Sequence, residues 1–126
     1  MKENATWEKL AALNVEIGDR EFSKDSEFFE RLLAPAFAMR RANSERAVVD
    51  RQRFLDNLAK STPKARTTEV DSISFLGHER LVVTCVVTMD GNRFDNLRVF
   101  VPNRNLLLSD ADPQWLLLAW ANEPVA

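Results

Sequence analysis

The chain is expected to fold as an α+β domain, a cone-shaped, curled antiparallel or mixed sheet with three N-terminal helices. Three observations predict this. Apolar residues recur at helical spacing through the first sixty residues, and from Arg66 onward the chain reads as strands. Between those strands lies a hairpin signature: the β-branched run Leu81 to Met89 meets Asp90-Gly91-Asn92 and returns as Phe94 to Val101. A further strand, Trp115 to Asn122, follows after a polar loop.

Each element has its own warrant. Trp7, Leu10, Leu13 and Ile17 alternate with Glu8, Lys9, Glu16 and Asp19, which predicts an amphipathic first helix capped by Asn4 or Thr6, with Gly18 ending or bending it. Phe22 falls in the connection and is expected to pack between the first two helices. The second helix starts near Ser23 or Asp25, buries Phe28, Phe29, Leu32 and Leu33, and stops at Ala34 because Pro35 follows. Ala36 to Ala42 reads as a short strand, Asn43-Ser44-Glu45 as a turn, and Arg46 to Val49 as a segment pairing back. Asp50 caps a third helix, Arg51 to Lys60, with Phe54, Leu55, Leu58 and Ala59 inward, and Ser61-Thr62-Pro63 ends it. Arg66 to Phe75 alternates without a purely apolar face, the mark of a strand solvated on one side or near an edge.

Composition narrows the class. The 126 residues make one domain, large enough for its own core without metal or disulfide support. A net charge of -2 lacks the basic surplus of a nucleic-acid binder, so no nucleic-acid partner is expected. No run approaches the ~20 apolar residues of a membrane span, and Met1-Lys2-Glu3-Asn4 lacks a signal-peptide core, so a cytoplasmic protein without a membrane partner is expected. Three glycines leave no room for a phosphate-cradling loop. The lone Cys85 sits in the most apolar strand and reads as a small buried hydrophobe. One histidine, His78, in a Gly-His-Glu turn, gives no ligand set for zinc or iron, so neither metal nor cofactor is expected.

Several local phrases carry a resemblance: Phe28-Phe29-Glu30-Arg31-Leu32-Leu33-Ala34 before a short strand, Val49-Asp50-Arg51 before Phe54-Leu55, and Leu81-Val82-Val83-Thr84 before Asp90-Gly91. The most specific is the closing Trp115-Leu116-Leu117-Leu118-Ala119-Trp120-Ala121-Asn122-Glu123-Pro124. Over residues 7 to 125 the chain resembles the nuclear transport factor 2-like superfamily, in the branch of polyketide-cyclase-like and ketosteroid-isomerase-like domains, and most of all its uncharacterised bacterial proteins. The resemblance implies a cone-shaped α+β barrel, a homodimer formed through the sheets, and a ligand pocket inside the cone.

Ketosteroid-isomerase chemistry needs a carboxylate base, a tyrosine and a protonated aspartate. The chain has no tyrosine, the base's position falls near Arg40 or Arg41, and the aspartate's falls near Leu97 or Arg98. No catalytic residue is therefore assigned. The candidate ligand-binding residues are Arg41, Phe54, Arg98, Leu118, Trp120 and Asn122. Of the adjacent Arg40 and Arg41, alternation sends one inward, where it would bind an anion; Asp50 is its possible partner, though a helix cap is the commoner role. Arg98 shares a face with Asn96 and Phe100. If that face is interior, Arg98 is a partly buried cation needing an anion; otherwise it faces solvent or a dimer partner. The fold's usual register would turn Leu116, Leu118, Trp120 and Asn122 to the pocket, and Trp115 away from it; plain core packing is the alternative for Trp120. Thr84 and Thr88 share a strand face and either offer hydroxyls to a ligand or simply favour the strand. The expected function is non-catalytic binding of a small organic ligand, anionic or neutral, in a mostly apolar pocket. The alternatives are a cyclase, isomerase or dehydratase with an unrecognised acid or base, and a structural dimerisation module.

Overall fold

A computed structural model describes residues 2–41, 48–105, 109 and 112–125. Three helices, α1 (Lys2–Phe22), α2 (Ser26–Leu32) and α3 (Arg51–Lys60), cover one face of a six-stranded sheet. Its strands are β1 (Leu33–Arg41), β2 (Val48–Asp50), β3 (Arg66–Leu76), β4 (Arg80–Met89), β5 (Asn92–Pro102) and β6 (Trp115–Pro124). The order is β2-β1-β6-β5-β4-β3, all antiparallel except the β1–β6 pair. The sheet is mixed and curled but open, with β2 and β3 as its edges, so the closed barrel implied by the resemblance is not formed.

The hairpin forms as expected and for the expected reason. Asp90 and Gly91 take φ of 53° and 77°, the two left-handed residues of a tight turn whose twist matches its strands. Asp50 caps α3 by accepting from Arg53 N at 2.9 Å, so it is not the partner of Arg41. Asp25, not Ser23, caps α2, accepting from Phe28 N at 3.1 Å. Arg51 then ties α3 to the preceding elements by donating to the carbonyls of Glu30 at 2.7 Å and Leu33 at 3.4 Å.

Several boundaries differ from expectation. Helix α1 extends back to Lys2, so neither Asn4 nor Thr6 caps it, and it runs through Gly18 to Phe22. Gly18 does not end the helix. A methyl group there would lie 3.1 Å from Thr68 Oγ1 and 3.2 Å from Arg66 Cγ, so its smallness lets α1 approach β3. Phe22 is 48% exposed, not wedged between helices. Leu33 and Ala34 belong to β1, not α2: Pro35 forbids helix at Ala34, and parallel pairing of Leu33 with Leu117 draws the strand back. Ala59 is exposed. The turn expected at Asn43-Ser44-Glu45 lies outside the described residues.

The core sits between the helices and the inner face of the sheet. The rings of Phe29, Phe37 and Trp120 all pack on that of Phe54, with centroids 5.2 to 5.9 Å from it. Leu10, Ile17, Leu81, Val83, Phe100 and Leu117 are sealed around it. Such ring pairs add roughly 0.5–1.5 kcal/mol each beyond their burial.

Candidate functional site

Register decides which residues meet inside the cone. Met39, Trp120, Arg98 and Val83 form one row across β1, β6, β5 and β4. Arg41, Asn122, Asn96 and Cys85 form the next row toward the open end. Both rows face the helices. Between these rows, α3 and the start of β3 lies a concavity of about 600 Å³. Met39, Phe54, Val87, Phe94 and Trp120 supply its apolar wall, and Glu21, Arg41, Lys64, Arg66, Asn96 and Asn122 its polar groups. Of the residues singled out in the sequence, Arg41, Phe54, Trp120 and Asn122 therefore border the same concavity.

Leu118 is placed elsewhere. The β5–β6 register shifts between Val99 and Phe100, with Val99 opposite Ala119 but Phe100 opposite Leu117. Leu118 is thus the extra residue of a bulge, and the alternation of β6 inverts there. Leu117 becomes the sealed inward residue, and Trp115, expected to face away, packs against the core. Thr84 lies on the outer face, where its hydroxyl meets that of Ser72 at 2.6 Å. A bulge in β3 between Val70 and Ser72 likewise brings Val70 and Ile73 to the same inner side.

Arg98 faces inward, but beneath the floor of the concavity. It is 0% exposed, and its Cζ lies 4.3 Å from the centre of the Trp120 ring. A cation on a desolvated indole is worth about 2 kcal/mol. Its Nη1 donates to the Asn14 carbonyl at 3.2 Å and to Asn14 Oδ1 at 3.0 Å. Asn14 is held in turn, its Nδ2 donating to Leu10 O at 2.7 Å. Nε and Nη2 of Arg98 are buried and make no hydrogen bond among the described residues. Burial lowers the guanidinium's pKa; Cys85 and Glu21 act in the opposite direction. Trp120 Nε1 donates to Asn96 Oδ1 at 2.6 Å, and Asn96 Nδ2 to Phe94 O at 3.1 Å, so the polar atoms where the two rows adjoin are oriented by bonds to their neighbours.

Glu21, on the last turn of α1, is the carboxylate among the described residues lining this concavity. It meets Arg66 at 3.1 Å, with side chains 13% and 15% exposed respectively. Burial raises the pKa of Glu21, and Arg66, Arg98 and Arg41 oppose that rise. Neither Glu21 nor Asn14 stands out when helices are read by apolar spacing. They occupy the Leu10–Asn14–Ile17–Glu21 stripe, and a polar residue recurring on an otherwise apolar stripe was the available signal.

The outer face holds a second concavity of about 700 Å³, bounded by Arg40, Asp71, Thr84, Asp95, Leu97 and Glu123. Arg41, Asn96 and Asn122 border both concavities. Cys85 is buried, and burial raises its thiol pKa, the state of an inert structural cysteine. Among the described residues no cluster of three or more metal-ligating side chains occurs, and no helix is long and apolar enough to cross a membrane.

No family model matches the sequence, and no curated protein matches it significantly. Solved structures do. A nuclear transport factor 2-like protein of unknown function from Silicibacter pomeroyi superposes with a TM-score of 0.76 at 14% identity, covering 99% of this chain and 100% of that one. A cystatin-like-fold domain of unknown function from Nostoc punctiforme gives 0.75 at 12% identity, over 97% of this chain and 78% of that one. A nuclear transport factor 2-like protein of unknown function in nutrient uptake from Rhodospirillum rubrum gives 0.65 at 15% identity, over 86% and 91%. At these identities the likeness concerns architecture alone: the chain has the nuclear transport factor 2-like fold.

Proposed function

We propose that the inner concavity binds a small organic anion, its apolar body against Phe54, Phe94 and Trp120 and its acid group against Arg41 and Arg66. The observation that carries this reading is the charge imbalance. Among the described residues, Arg41, Lys64 and Arg66 line the concavity against the single carboxylate of Glu21, and Arg98 lies just beneath. Lys64 has an exposed partner in Asp90 at 3.4 Å, so the surplus falls on the arginines. Excess positive charge in a low-dielectric recess favours an anion, and guanidinium groups favour planar oxyanions. A volume of about 600 Å³ lies within the ~300–1,000 Å³ of small-ligand sites. Isothermal titration with benzoate tests it: Arg41→Leu and Arg66→Leu are each expected to weaken binding about tenfold or more, as loss of a charge-assisted bond of ~1.5–3 kcal/mol requires. Undiminished binding in both variants contradicts the assignment.

One observation favours a second reading. Glu21 is a largely buried carboxylate with a raised pKa inside the concavity, the condition of a general base. Removal of a proton α to the ketone of a keto acid is the reaction class that suits it. Exchange of those protons of levulinate in deuterated water, catalysed by the protein and lost in Glu21→Gln, supports this reading; no exchange above buffer removes it.

The outer face of β4, β5 and β6, where Leu97 is 42% exposed between Thr84 and Ala121, is proposed to pack against a second copy of the chain. Arg40 at one margin and Asp95 and Glu123 at another give that face charges of both signs, which a two-fold operation can pair.

A further inference from the structure

We propose that Asn122 selects α-hydroxy acids, its amide taking the hydroxyl and one carboxylate oxygen of a ligand whose acid group lies on Arg41. The inference rests on the anion-binding reading and names the class of acid that the recess takes.

Register brings the recognising groups together. Asn122 is paired with Arg41 of β1 on one side and with Asn96 of β5 on the other. Residues directly opposite on neighbouring strands carry their side chains on the same face, about 5 Å apart. Asn122 also follows Trp120 by two residues, so it shares the face of the buried indole. Arg41, Asn96, Trp120 and Asn122 all line the inner concavity.

The two facing amides differ in what they have left to offer. Asn96 is 5% exposed and committed at both ends, its Oδ1 accepting from Trp120 Nε1 and its Nδ2 donating to Phe94 O. Asn122 is half-buried, and its amide makes no hydrogen bond among the described residues. The Glu21 carboxylate is committed to Arg66. The recess is rich in donors through Arg41, Lys64 and Arg66, and Asn122 brings it a half-buried side-chain oxygen that is not already spoken for.

A primary amide presents an N–H donor beside a C=O acceptor. An ionised α-hydroxy acid presents the complement, a carboxylate oxygen beside an O–H, and the two fit as a parallel pair of hydrogen bonds. An α-keto acid presents two acceptors, meets only the N–H and sets its carbonyl oxygen against Oδ1. An acid with neither group also meets only the N–H. Arg41 holds the carboxylate through charge-assisted bonds, and the apolar substituent on the hydroxyl-bearing carbon lies against Phe54 and Trp120. That arrangement fixes three directions at one carbon, so it accepts one enantiomer.

Isothermal titration of the full chain with phenylacetate, phenylglyoxylate and each enantiomer of mandelate tests the assignment. These acids share a ring and are ionised at neutral pH; they differ at the carbon beside the carboxylate. One enantiomer of mandelate is expected to bind about tenfold more tightly than either of the other two acids, because a site that hydrogen-bonds a hydroxyl discriminates against analogues lacking it. Asn122→Leu, close in size and without polar atoms, is expected to erase that ratio and the preference between enantiomers. General loosening of the recess would weaken all the acids alike and leave the ratio in place. If Asn122→Leu does not fold, Asn122→Ala replaces it. Equal binding of mandelate and phenylacetate by the wild type overturns the assignment, as does a preference for mandelate that survives in the Asn122 variant. Phenylglyoxylate binding as tightly as mandelate also overturns it. Each of these results leaves the anion site standing, because binding of phenylacetate and its loss in Arg41→Leu test that site separately. Absence of binding by every acid to the wild type overturns both proposals together.

Discussion

The two faces of β5 invert the usual rule for a half-buried strand. Inward lie Asn96, Arg98 and Phe100; outward lie Asp95, Leu97 and Val99. The buried side thus carries an amide and a fully sealed guanidinium, while the more accessible side carries Leu97 at 42% exposure. Core packing alone would select the opposite pattern. The inner polar groups are held in a sequence of bonds, Phe94 O to Asn96, Asn96 to the Trp120 indole, and Arg98 stacked on that indole and tied to Asn14. Residues that cost stability when buried persist where the fold uses them, and here they surround a recess with surplus positive charge. The outer apolar residues form the surface proposed above to meet a second copy.

The largest effect that separates the faces is expected from truncation. Trp120→Ala removes the ring that joins the aromatic cluster to Arg98 and should cost about 3–5 kcal/mol of unfolding free energy in urea. Leu97→Ala should stay within about 0.5 kcal/mol for the monomer, whereas Leu97→Asp should shift the protein from dimer to monomer in sedimentation. Equal losses at the two positions would dissolve the distinction between the faces.

A smaller effect concerns pH. Burial raises the pKa of Glu21, with Arg66, Arg98 and Arg41 resisting. The folded protein therefore holds that proton more tightly than the unfolded chain does. The contribution of this group to stability is greatest below its ordinary value and declines as pH rises through the interval up to the raised one. Urea midpoints of wild type relative to Glu21→Gln should fall across that interval. A difference that rises with pH would mean that the arginines outweigh the burial.

The architecture was largely legible in the sequence. The Asp90-Gly91 turn, the Asp50 cap and the apolar stripes of the helices are local signals, and each acted locally as physical chemistry requires. The site was legible only in part. Arg41, Phe54, Trp120 and Asn122 border one concavity because alternation holds through the second half of β6 and along β1 near Arg41. Leu118 and Trp115 were misplaced because a bulge inverts alternation, and no residue in Leu116-Leu117-Leu118 marks where it falls. Glu21 is hidden in the sequence because Gly18 and Ser23 make the end of α1 look like a connection. Arg98 was placed on an undecided face, since a lone arginine among apolar neighbours looks the same from either side until the helix above it is known.

The most direct measurement of the central claim, that the inner face is an anion site, is the thermal midpoint of the protein against matched concentrations of benzoate and benzamide. The two share size and an apolar ring and differ in charge. Ligand that binds only the folded state raises the midpoint in proportion to the logarithm of its excess over Kd. Benzoate is expected to raise the midpoint progressively and benzamide to leave it unmoved. Equal shifts with the two, or none with benzoate, would contradict the claim.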